Sequence, residues 1–149
     1  MDRPPADSYH PDDAATSPLK ILFVDDHRDT RIVMEKLLRQ WGYQVHTADS
    51  VAAALGIARS IGPDLLISDI ELPDGTGIDL LRTLRSTTSI PGIVHSGYGM
   101  QEDVTRSLEA GFFVHLVKPV ALSKLRDAIN RLLIQRSSPD SASRIQEWA

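Results

Sequence analysis

Cysteine is absent from the 149 residues, which removes disulfides, thiolate metal ligation and cysteine nucleophiles from the possible chemistry. Long apolar runs are also missing, and none approaches the roughly 18 residues that a membrane-spanning helix needs. No apolar core follows Met1-Asp2-Arg3-Pro4-Pro5, so the start of the chain does not read as a secretory signal, and a cytoplasmic location with no membrane insertion is expected. Charge of one sign is not in excess either. A formal net charge of −4 gives no bulk electrostatic reason to bind nucleic acid. What is present is ordinary for a soluble domain, and a chain of this length buries about two-thirds of its unfolded surface if folded throughout.

Residues 1–18 carry four prolines, four aspartates and small polar residues, the composition of a disordered tail. Strand-length apolar runs then alternate with helical patterns. Lys20–Val24 is the first strand, and a helix follows from about Asp29 to Gln40, with Val33, Met34, Leu37, Leu38 and Trp41 as its stripe and Gly42 as its stop. Gln44–Ala48 is the second strand, and Asp49 or Ser50 caps a helix carrying Val51, Ala54, Leu55 and Ala58, broken at Gly62-Pro63. Asp64–Asp69 is the third strand, and Ile78, Leu80, Leu81 and Leu84 mark the helix that opens near Gly77. Gly92–Ser96 is the fourth strand, and a helix with a sparse stripe of Val104 and Leu108 spans about 101–110. Phe113–Val117 is the fifth, and Ser123 caps a last helix bearing Leu125, Ala128, Ile129, Leu132 and Leu133. Residues 137–149 form a polar C-terminal tail with a lone Trp148. Five strands alternating with five helices within 19–136 imply right-handed crossovers and one α/β domain, a doubly wound parallel sheet.

The chemistry collects at strand ends. In such sheets ligands bind beyond the carboxyl ends of the strands, where the strand order reverses. For the flavodoxin-like (βα)5 order 2-1-3-4-5 that point lies between the first strand, ending in Asp25-Asp26, and the third, ending in Asp69. Any one of these could be a turn or helix-capping aspartate. Together with Ser96 and Lys118 at the ends of strands four and five, they form a far more constrained set. Three converging carboxylates repel one another, and a hard cation with oxygen ligands relieves this. Mg²⁺ suits such a site and shares a phosphate oxygen, so Asp69 becomes a candidate nucleophile for a phosphoryl group, with Lys118 neutralising its oxygens and Ser96 donating a hydrogen bond.

Val24-Asp25-Asp26, then Asp69 followed by Pro73 and Gly77, then Ser96-Gly97 and Lys118-Pro119 resemble the receiver domain of two-component response regulators over about 19–136. The resemblance implies that Asp69 accepts a phosphoryl group from a phosphohistidine of a histidine kinase or histidine phosphotransfer protein. It implies that Asp25, Asp26, Asp69 and the backbone carbonyl of Glu71 hold Mg²⁺, with Mn²⁺ able to substitute. Ser96 and Lys118 would contact the phosphate, and His115 stands where the family usually carries a Tyr or Phe switch. A half-buried structural histidine is the plainer reading of His115. The Lys118-Pro119 bond is a cis candidate, and Glu71 and Tyr98 would tune the lifetime of the aspartyl phosphate. The change would be relayed to a protein partner through the face of the fourth helix, fifth strand and fifth helix. In that reading the domain is a phosphoacceptor, not an enzyme beyond its own phosphotransfer and slow autodephosphorylation.

No helix-turn-helix, kinase or cyclase motif fits after Arg136, so no direct DNA binding is expected. The initial Met and short polar tails favour a stand-alone regulator, although Gly111–Pro119 resembles receivers attached to hybrid sensor kinases. A metal-dependent phosphohydrolase with an aspartyl nucleophile would need a second acid two residues on, and Asp25-Asp26-His27 lacks that spacing. A flavin or nucleotide binder would want a Gly/Ser-rich loop after the first strand. A non-phosphorylated pseudo-receiver is disfavoured because all five site residues are present. His27 beside the acidic pair could be a third metal ligand, but it reads rather as a solvent-facing helix start, since carboxylates and waters already suit magnesium. His95 reads as strand packing, and Asp74-Gly75 as a turn close enough to the crevice to tune entry of water or donor.

Overall fold

The computed structural model describes residues 18–97, 105, 106, 108, 109 and 111–136. Residues 1–17 and 137–149 of the expected tails, Tyr98 and Val104 lie outside the described residues. Five parallel strands form one sheet: β1 (Lys20–Val24), β2 (Gln44–Ala48), β3 (Leu65–Asp69), β4 (Gly92–Ser96) and β5 (Phe112–Val117), in the order β2-β1-β3-β4-β5. The helices are α1 (Arg28–Gln40), α2 (Val51–Ile61), α3 (Gly77–Arg85) and a C-terminal helix (Leu122–Arg136), and Thr105, Arg106, Leu108 and Glu109 are also helical. The expected flavodoxin-like topology is the observed one.

Side chains alternate across the strands, so each strand feeds two cores. Ile21, Phe23, Leu65, Ile67 and Ile93 pack with Leu38 of α1 and with Leu125, Ala128, Ile129 and Leu132 of the C-terminal helix. Leu22, Val24, Leu66 and Val94 pack with Ala54 of α2 and with Ile78, Leu80, Leu81 and Leu84 of α3. Because both faces are covered, β3 and β4 are buried at every position. Arg126 lies over the Trp41 ring at 5.1 Å, tying the C-terminal helix to the end of α1.

Several local expectations change. Val33 is 62% exposed and is not part of the buried stripe of α1, which consists of Leu38 with Met34 and Trp41 packed beside it. Three consecutive apolar residues, Ile32 to Met34, left the phase of that helix ambiguous, and only Met34 turns inward. The fifth strand begins at Phe112 rather than Phe113. Ser123 lies inside the C-terminal helix and does not cap it; the Ala121 carbonyl accepts from the amides of Lys124 and Leu125 instead. Ser50, not Asp49, caps α2, accepting from the Ala53 amide at 3.1 Å. Asp74 adds to this cap from a distant loop, its carboxylate accepting from the amides of Val51 and Ala52, which holds its pKa below the ordinary value.

The loop after β3 is also more ordered than a plain turn. Glu71–Leu72 pairs antiparallel with Gly75–Thr76, and the Gly77 amide donates to the Ile70 carbonyl at 2.9 Å. A side chain at Gly77 would collide with the backbone carbonyl of Asp69 and stand 2.8 Å from Ser68 Oγ. The glycine is required because α3 starts directly against the end of β3. Gly77→Ala should therefore lower the unfolding free energy by about 1–3 kcal/mol, the range for overpacking a closed contact. Urea denaturation measures it, and an unchanged midpoint would contradict the close approach.

Candidate functional site

The register of the sheet aligns the strand ends. Val24 pairs with Ser68 and Asp69 with His95, so Asp25 and Asp69 leave adjacent strands side by side. Across the sheet Ser96 pairs with Val117, and the Lys118 amide donates to the Ser96 carbonyl at 2.7 Å. Lys118 thereby returns over the strand ends, and its Nζ donates to Asp25 Oδ2 at 3.0 Å and to Asp69 Oδ2 at 2.9 Å. Asp25 is fully buried and Asp69 nearly so, whereas Asp26 is exposed. The Lys118-Pro119 bond is cis.

Electrostatics at this point are a balance of burial against pairing. Burial alone pushes the Asp25 carboxyl up, but hydrogen bonds from the amide and ring of His27 and from Lys118 hold it below its ordinary value. Burial pulls the Lys118 ammonium down, and its hydrogen bonds to Asp69 and Asp25 more than reverse this, so it stays charged. An open cleft of about 590 Å³ lies above, lined by Asp26, His27, Asp69, Glu71, Pro73 and Lys118 among others. Asp69 Oδ1 accepts from the Glu71 amide at a long 3.4 Å. Ser96 Oγ lies 2.8 Å from His115 Nε2.

Three further residues border the site. His27 is the N-cap of α1, and its Nδ1 lies 2.9 Å from Asp25 Oδ1 and 3.2 Å from Asp26 Oδ1. Its hydrogen bond to Asp25, with the charges of Asp26 and Asp25, raises its pKa. Arg31, one turn into α1, donates to the Asp25 carbonyl at 2.9 Å. Adjacency to Asp25-Asp26 was the available signal for His27, and helical spacing for Arg31. His95 is buried and stacks on Phe23 with ring centroids 5.4 Å apart, its Nδ1 3.9 Å from Asp25 Oδ2. Its packing role is borne out, but its approach to the acidic cluster was not visible in the sequence.

Ligand atoms of Asp25, Asp26, His27 and Asp69 all fall within 4.8 Å of one another. Carboxylate oxygens dominate that set, which fits a hard divalent cation such as Mg²⁺. This is a five-stranded doubly wound α/β domain with an acidic crevice at its topological switch point, closed by a lysine from the last strand.

The model of the response regulator receiver domain family matches residues 21–130, and the chain belongs to that family. Sporulation initiation phosphotransferase F of Bacillus subtilis is 32% identical over 120 residues, covering 80% of this chain and 97% of its own. The KDP operon transcriptional regulatory protein KdpE of Escherichia coli is 33% identical over 122 residues, 82% of this chain, but the match spans only 54% of KdpE. Among solved structures, a two-component response regulator from Clostridium difficile has a TM-score of 0.77 at 26% identity, covering 80% of this chain and 99% of that one. A CheY-like receiver domain protein from Methanospirillum hungatei JF-1 has a TM-score of 0.74 at 29% identity, covering 80% and 96%. Receivers are phosphoacceptor signalling domains of two-component systems, and magnesium and phosphoaspartate are general features of the family. No described helix is long and apolar enough to cross a membrane.

A cation held at Asp25 and Asp26 would lie beside the His27 ring, so its binding is expected to depend on pH. The raised pKa of His27 keeps the imidazolium above the ordinary 6.5, where its charge opposes a cation at Asp25 and Asp26. Mg²⁺ affinity should therefore rise with pH through the His27 titration, from about pH 6.5 upward, and His27→Gln should flatten that rise. Calorimetric Mg²⁺ titrations between pH 6 and 8.5 check this, and an equal slope in both proteins would contradict it.

Proposed function

We propose that Asp69 is the phosphoacceptor of this receiver and that residues 19–136 form the signalling domain. The observation that carries the proposal is the Lys118 ammonium bridging Asp25 and Asp69 at the mouth of the cleft. An oxygen of the Asp69 carboxylate attacks phosphorus of a phosphohistidine on a histidine kinase or histidine phosphotransfer protein. The P–N bond breaks, and the histidine keeps the electron pair and takes up a proton, leaving as neutral imidazole. Lys118 is close enough to take one phosphoryl oxygen while staying at Asp25. Asp25, Asp26, Asp69 and the Glu71 carbonyl would hold Mg²⁺, or Mn²⁺ in its place. The cation supplies neutralisation of the equatorial oxygens.

Ser96 and His115 form the switch pair in this reading. The Ser96 hydroxyl lies in hydrogen-bond contact with His115 Nε2, and turning toward a phosphoryl oxygen would break that contact. His115, half-buried on β5, would lose that contact and could change position at the face of that strand. A protein partner would read that face together with the fourth and last helices, and Glu71 and Tyr98 would set the phosphate lifetime. The domain in this role is a signalling acceptor that catalyses its own phosphotransfer, not a turnover enzyme.

Intact-mass spectrometry after incubation with acetyl phosphate, with and without Mg²⁺, tests the assignment. One added phosphoryl group that requires Mg²⁺ and disappears in Asp69→Asn is the expected result. An adduct that persists in Asp69→Asn, or no adduct together with no consumption of the donor by the wild type, would overturn it.

A further inference from the structure

Behind the acidic cleft, on the other side of Lys118, a second cavity of about 440 Å³ opens between the sheet, α1 and the C-terminal helix. Its walls are apolar, built from Phe23, Ile67, Leu116 and Leu125, all buried, with Met34 and Val120 beside them. Its rim includes Pro119 and Leu122, both exposed, the latter at 49%, so the cavity is reachable from solvent. That volume lies in the range of small-ligand sites, which combine apolar walls with a few placed polar groups.

Polar groups here are few, and one is unsatisfied. His95 is 4% exposed and lines the cavity, and among the described residues neither of its ring nitrogens has a hydrogen-bond partner. A buried polar group left unpaired costs about 1–3 kcal/mol, so an occupant that pairs with it gains both burial and a hydrogen bond. Burial chiefly, with the Lys118 charge, lowers the His95 pKa to about 4, against the opposing pull of Asp69 and Asp25, so the ring is neutral and offers one donor and one acceptor. Lys118 also lines the cavity, but its ammonium is held between two carboxylates, so an anion drawn toward it here would also meet the negative charge of Asp25 and Asp69.

We propose that this cavity is a binding site for a small neutral aromatic alcohol, its hydroxyl paired with a ring nitrogen of His95 and its ring among Phe23, Leu116 and Leu125. A hydroxyl both donates and accepts, which matches either tautomer of the imidazole. The site lies beside the phosphoacceptor cleft, with Lys118 bordering both.

Phenol and its near-isostere toluene are the probes, with benzoate as the anionic arm, followed by NMR of the leucine methyls and histidine ring nitrogens of the full chain. Phenol should perturb the Leu116 and Leu125 methyls and the His95 ring. It should bind about threefold or more tighter than toluene, the preference one neutral hydrogen bond provides. His95→Phe should keep toluene binding and lose the preference. Equal binding of phenol and toluene to the wild type, tighter binding of benzoate, a preference retained in His95→Phe, or no perturbation by any probe at its solubility limit would overturn the proposal. If His95→Phe fails to fold, the wild-type contrast and the His95 ring shift still decide it.

Discussion

One ammonium holds the site together. Lys118 Nζ sits within 3.0 Å of two carboxylates that leave neighbouring strands, and both of those carboxylates are buried. Without it, Asp25 and Asp69 would repel each other in surroundings that screen poorly, where like charges a few ångströms apart interact by several kcal/mol. Lys118 does not fully offset the cluster. Asp25, Asp26 and Asp69 against one ammonium leave a surplus of two negative charges beside an open cleft when His27 is neutral, the complement of a divalent cation. The ammonium that partly offsets these buried acids would thus also limit their attraction for a cation.

Backbone geometry delivers this arrangement. Parallel strands in register bring their carboxyl ends to one edge, and the switch between β1 and β3 puts Asp25 beside Asp69 there. Gly77 lets α3 begin directly against the Asp69 carbonyl, and the short ribbon of Glu71–Leu72 with Gly75–Thr76 keeps the intervening loop folded over the cleft. Asp74 then ties that ribbon to the start of α2 through two backbone amides. Position at the strand ends is therefore set by the whole sheet, while access is set by a few loop residues.

Much of this was legible in the chain because its signals are local. Apolar runs of strand length ending in Asp25, Asp69, Ser96 and Lys118 announce both the strands and where their polar ends fall. Boundaries held where a cap or glycine marks them, as at Ser50 and Gly42, and slipped where a backbone carbonyl did the capping, as at Ala121. The phase of α1 was ambiguous because Ile32, Val33 and Met34 are all apolar, so periodicity alone could not choose which faces inward. His27 is the exposed helix start that the chain indicated, whereas His95 was underread for a different reason. What a histidine does depends on which groups surround its ring, and those of His95 come from strands far apart in sequence.

The central claim is that Lys118 is the internal counter-ion whose charge limits how strongly the three carboxylates attract a cation. Calorimetric titration of Mg²⁺ into the wild type and into Lys118→Met at neutral pH and low ionic strength tests it directly. Tighter Mg²⁺ binding in Lys118→Met, with the fold retained by circular dichroism, is the predicted result. Equal or weaker binding in a folded variant would contradict the account.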